Sequence, residues 1–102
     1  MNEPKLWELW YAKVKFEETD GYKDRPVLVT GTGEVLVLAV MITSTGQRSV
    51  WGEYDIVFWK SAGLAHPSTV RCTRKLKLER HDFRRKIGDL HPTDILNICK
   101  YL

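Results

Sequence analysis

Apolar and polar side chains alternate from the start of the chain. In "LWYAKVKFE", Trp10, Ala12, Val14 and Phe16 fall on one face and Tyr11, Lys13 and Lys15 on the other, the period of a half-buried strand. The stretch 17–24, "EETDGYKD", is polar and contains glycine, which predicts a loop. Proline is tolerated in a strand only near its start or on an edge, so Pro26 places the next strand over about residues 26–30. The glycine-rich "TGTGE" joins it tightly to "EVLVLAVMIT". That segment is apolar on both faces and bounded by turn residues, so it reads as a central strand rather than a buried helix.

A second polar loop, 44–52, precedes "EYDIVFW", a predicted strand, and "KSAGLAHP" turns the chain with at most one helical turn. Alternation returns in "STVRCTRKLKL", where Val70, Cys72, Leu76 and Leu78 are expected inward and Arg71, Thr73, Lys75 and Lys77 outward. "ERHDFRR" predicts a short helical turn ahead of a short strand, "KIGDL". In "HPTDILNICKYL" Thr93 is placed to cap a helix, Asp94 suits its first turn, and Ile95, Ile98 and Leu102 share a face. Five or more short strands with one terminal helix predict a mostly β fold, a small antiparallel barrel. At 102 residues without a linker or repeat, a single domain spanning 1–102 is expected.

Composition narrows the classes. No apolar run reaches the roughly 18 residues of a membrane span, and "MNEPKLWELW" lacks the layout of a signal peptide. Two cysteines, Cys72 and Cys99, do not make a disulfide framework, so a cytoplasmic setting is expected. Neither they nor His66, His81 and His91 show ligand spacing, and no metal site or cofactor is expected. The net charge of +3 is uneven: residues 71–86 hold eight Lys/Arg against two acids. Such a block attracts polyanions or is simply a solvated face.

"KDRPVLV" puts Arg25 at the mouth of an apolar strand. Pro26 biases Arg25 to an extended backbone, so its guanidinium leaves the core edge in a defined direction. A planar fork held that way suits phosphate oxygens.

"KDRPVLV", "VMIT", "AGLAHPSTVRC" and "FRRKIGDL" occur in an order and spacing that resemble the MazF/PemK toxin ribonucleases, from about Trp10 to Leu102. The resemblance implies an SH3-like barrel with helices, a homodimer, and metal-free cleavage of single-stranded RNA. It also implies an antitoxin protein that covers the RNA groove. It makes Arg25 and Thr43 the catalytic pair, with Thr43 donating to the phosphate, and it leaves Arg71 and Thr73 on the "VRC" strand as RNA contacts. Lys23, Gln47, Arg48 and Trp51, in the two polar loops, offer the charge, amide edges and aromatic face that single-stranded RNA needs. The chain departs from the family pattern at "WEL", where Gly-Asp-Ile/Val is common, at Thr73, where many members carry aspartate, and at Leu76, often arginine. A non-enzymatic barrel of the same fold, a gyrase poison of the CcdB type or a nucleic-acid-binding module, is the alternative.

Overall fold

The computed structural model describes residues 3–15, 21–44 and 52–102. Strands β1 (Glu8–Lys15), β2 (Tyr22–Thr32), β3 (Leu36–Ser44), β4 (Glu53–Asp55), β5 (Ser68–Glu79) and β6 (Phe83–Asp89) form one sheet, followed by helix α1 (Pro92–Ile98). Every pairing is antiparallel, in the order β4-β5-β3-β2-β1-β6. The barrel-like sheet is not closed by hydrogen bonds: among the described residues β4 and β6 remain its two edges. The segment "EVLVLAVMIT" is central as expected, whereas only three residues of "EYDIVFW" are strand and the rest turns.

The two faces of the sheet carry two cores. Trp10, Ala12 and Val14 of β1 join Val27, Val29, Val37, Ala39, Leu78 and Phe83, with Trp10 and Phe83 edge to face at 5.9 Å. Leu9, Leu28, Val40, Ile42, Val70 and Cys72 face the other way, onto Ile56, Ala62, Leu90 and Ile98. The expected single inward row on β5 is therefore split. Val40 pairs with Lys75 but Met41 with Arg71, so β5 bulges by three residues. The odd insertion reverses which residues face which side. Val70 and Cys72 serve one core, and Leu76 and Leu78 the other.

Pro26 lies inside β2 rather than near its start. β2 pairs with β1 from Tyr22 onward, but with β3 only from Val27. The proline thus sits where the ladder to β3 begins, and its missing N–H is tolerated there. The β2–β3 ladder ends at the Val27–Met41 rung.

The glycines of "AGL" and "KIG" meet across the fold. A Cβ on Gly88 would stand 2.1 Å from Ala62 O, and one on Gly63, at φ +91°, 2.4 Å from Ile87 O. Only glycine allows the 57–63 turns to lie this close on β6. Trp7, by contrast, adopts φ 68° with a full side chain. It stands first in "WEL", where the resembled family carries glycine. Its N–H donates to Val29 O and its carbonyl accepts from Leu90 N, both at 2.9 Å. Those bonds and the packing of its ring on the core outweigh a backbone cost of about 1–2 kcal/mol.

Helix α1 is capped by His91, whose Nδ1 accepts from Thr93 N at 3.0 Å, not by Thr93 itself. Asp94 is fully buried and does more than complement the first turn. Its carboxylate accepts from Val57 N at 3.0 Å, from Phe58 N at 2.9 Å and from the Tyr54 hydroxyl. Burial, then the adjoining carboxylate, push the Tyr54 hydroxyl up to about 12. This pin fixes the chain as it leaves β4.

Candidate active site

Strand pairing builds the site in rows. One row runs Trp10, Val27, Met41, Arg71, Glu53 across β1, β2, β3, β5 and β4. The next holds Ala12 with Arg25, and Thr43 with Thr69 and Asp55. Trp10, Ala12 and Val27 belong to the first core and Met41 packs against it, so the period-2 alternation puts Arg25, Thr43, Thr69 and Arg71 on that same face. Arg25 and Thr43 each lie two residues past the Val27–Met41 rung, just beyond the end of the β2–β3 ladder. A cation and a hydroxyl therefore occupy corresponding positions on neighbouring strands. Arg71 lies two strands across the sheet from Arg25 and one row along it.

Lys23, opposite Val14, shares the face of Arg25 and is exposed. Thr73 lies in the β5 bulge, exposed, with its methyl against Gly52. A Cβ on Gly52, at φ +86°, would come within 2.7 Å of that methyl. Gln47, Arg48 and Trp51 lie outside the described residues.

Two carboxylates that sequence reading missed occupy the same face. Glu53 Oε2 stands 3.3 Å from Arg71 Nε, and Asp55 Oδ1 accepts from Thr69 Oγ1 at 2.6 Å. Their alternation in "EYD" spans only three residues, too short to declare a face. Knowing that β4 pairs with the "STVR" segment would have revealed them.

The basic block does not act as one patch. Arg71 goes to this site, while Arg80 donates to Gly33 O at 2.6 Å and Glu34 O at 2.9 Å. Arg84 meets Asp24 at 3.4 Å, Arg85 stacks over Tyr11 at 4.4 Å, and Lys86 contacts Glu8 at 2.9 Å and Asp89 at 3.2 Å. The bulge and the turn at 80–82 distribute these cations around the sheet.

Cys72, although next to Arg71, faces the other core, and burial pushes its thiol up to about 11. It remains protonated and unreactive near neutral pH. The imidazoles of His81 and His91 have local contacts, and His66 contributes its backbone carbonyl. His81 Nε2 approaches Glu79 at 3.1 Å, His91 caps α1 and stacks on Phe58 at 4.0 Å, and the His66 carbonyl accepts from Ser68 Oγ at 2.9 Å. Among the described residues, no three His, Cys, Asp or Glu side chains are grouped as a metal would require.

Both the sequence and the fold resemble known proteins. Residues 5–102 match the family model described as PemK-like, MazF-like toxin of type II toxin-antitoxin system. No curated protein sequence matches. Among solved structures, the Mycobacterium tuberculosis toxin MazF-mt6 superposes with a TM-score of 0.71 at 25% identity, over 92% of this chain and 90% of that one. An endoribonuclease from Mycobacterial species gives 0.77 at 18% identity, over 100% and 89% of the two chains. An endoribonuclease in complex with its cognate antitoxin, also mycobacterial, gives 0.74 at 17% identity, over 98% and 91%.

Proposed function

The chain belongs to the PemK-like, MazF-like toxins of type II toxin–antitoxin systems, and from that premise we propose that it is an endoribonuclease cleaving single-stranded RNA without a metal. The observation that carries this reading is the shared face of Arg25, Thr43 and Arg71 near the end of the β2–β3 ladder. In the proposed reaction the ribose 2′-hydroxyl attacks the adjacent phosphorus and the 5′-oxygen leaves, giving a cyclic phosphate. Charge grows on the phosphate oxygens, and donors placed where it grows contribute most to rate. Arg25 supplies a two-point grip, Thr43 a hydroxyl donor, and Arg71 holds a neighbouring phosphate. Lys23 extends the basic track along β2, and Thr73 borders it on β5. Gln47, Arg48 and Trp51 are assigned to RNA recognition from the adjoining loop.

Partners follow from the same premise. Solved relatives include an endoribonuclease held by its cognate antitoxin, and an antitoxin that covers the RNA groove is proposed here too. A homodimer is supported by apolar surface: Leu36, Leu38 and Leu102 are 38%, 45% and 42% exposed. Leu38 and Leu102 line a recess of about 410 Å³ with Trp7 and Leu76. Among the described residues no helix is long and apolar enough to cross a membrane; action on RNA in the cytoplasm is proposed.

The test is single-stranded RNA incubated with the wild type and with Arg25→Ala, in EDTA. Wild type is expected to leave cyclic phosphate ends, and the variant to lose on the order of 10²-fold in rate. Intact RNA with wild type, cleavage only with added Mg²⁺, or full activity in the variant would each overturn the reading.

A further inference from the structure

Resting on the ribonuclease reading, we propose that Glu53 is a positioning residue: the charge pairing of its carboxylate with the Arg71 guanidinium orients that side chain toward an RNA phosphate. The pair faces across one rung of the β4–β5 ladder. The Glu53 side chain is only 5% exposed, while that of Arg71 is 27% exposed. Arg71 Nε is buried and makes no hydrogen bond to a described residue; Glu53 Oε2 stands 3.3 Å away and pairs with it by charge. The carboxylate is thus the more buried partner, and Arg71 keeps part of its side chain exposed at a position that shares the face of Arg25 and Thr43. A carboxylate exposed at this site would repel RNA. One that is buried and neutralised by Arg71 instead sets the direction of a cation that would otherwise sample many rotamers.

The next rung differs, with an exposed acid bonded to a hydroxyl. Asp55 accepts from Thr69 Oγ1, and Thr69 faces Thr43 on the neighbouring strand. Edge strand β4 therefore supplies an acid beside each polar β5 residue of the site. Gly52 and the Asp94 pin hold β4 from either end: Cys72 N donates to Gly52 O at 2.9 Å, and Asp94 takes the chain at Val57 and Phe58.

The experiment is a double-mutant cycle of Glu53→Gln and Arg71→Ala. It reads the Kd of single-stranded RNA blocked at every 2′-hydroxyl by O-methylation, together with kcat, KM and Tm. Glutamine keeps the size of the side chain and removes its charge. In the wild-type background Glu53→Gln is expected to weaken RNA binding roughly 10- to 100-fold, chiefly through Kd and KM rather than kcat. In the Arg71→Ala background it should change Kd by less than about twofold. Multiplying effects on Kd, or a fall in Tm with unchanged Kd, would overturn the positioning role. Because the blocked RNA is not cleaved, the cycle is decided by binding alone. Loss of the ribonuclease reading would appear separately, as intact substrate RNA with wild type. Failure of the wild type to bind RNA would end both.

Discussion

Replacing Asp94 by asparagine tests whether one buried carboxylate anchors the segment behind the site. The substitution keeps shape and opens no cavity, so only the acceptors change. At present Oδ1 accepts from Val57 N and the Tyr54 hydroxyl, and Oδ2 from Phe58 N. An amide offers one acceptor oxygen, and its NH₂ must then face an N–H that has no other bond assigned in this turn. A lost charge-assisted hydrogen bond is about 1.5–3 kcal/mol and a stranded donor about 1–3 kcal/mol. The Phe58 and Val57 amides are only part-buried, so water recovers a share, and about 2–4 kcal/mol is the expected loss. For a domain of this size that lowers Tm by on the order of 10–20 °C. Urea and thermal unfolding followed by circular dichroism give both quantities. A loss below about 1 kcal/mol with an unchanged m-value would show that the carboxylate is not the anchor.

Three further outcomes follow from separate features. Gly88→Ala should destabilise by more than about 2 kcal/mol, because its Cβ meets the backbone oxygen of Ala62 and rigid backbone must move; urea midpoints check this. Thr43→Val removes the hydroxyl but little volume, and should slow RNA cleavage on the order of 10²-fold with Tm nearly unchanged; single-turnover kinetics separate the two effects. Glu8 gives an acid-dependent prediction. Burial opposes its ionisation, but the Trp10 indole N–H, Lys86 and the Lys5 amide outweigh that and hold the carboxyl below its ordinary value. Its stabilisation is therefore present above the ordinary value and lost as pH falls through the lowered one. Glu8→Gln should be less stable than wild type at pH 7 and close to it near pH 3, read from urea midpoints at the two pH values.

Alternation and turn chemistry made most of the strands legible, since β1, β3 and β5 each keep one face apolar over several residues. What failed was parity. Nothing in "STVRCTRKLKL" announces three inserted residues, because Cys72, Leu76 and Leu78 still alternate as if on one face; the shift exists only relative to β3. The same limit hid Glu53 and Asp55. Their role depends on the strand they pair with, and that strand lies some fifteen residues away in sequence. Arg25 was legible for the opposite reason. Its direction is set by the next residue, Pro26, through local backbone restriction.

The bulge also links fold to chemistry. Without it, Leu76 and Leu78 would fall on the face of Val70 and Cys72, and β5 could not close the first core at one end while offering Arg71 at the other. Three extra residues let a single strand carry a polar half and an apolar half on one face of the sheet. The half that begins at Ser68 presents Thr69 and Arg71 beside Thr43, and the half after Arg74 buries Leu78 beside Val37. The family arginine at position 76 is leucine here, and its side chain packs against the first core. A cation at that place would have to leave the apolar cluster; under the proposed reading the phosphate contact on β5 is made instead by Arg71, ahead of the bulge. Glu53 then matters more, because it is the one described acid that faces that arginine across the ladder.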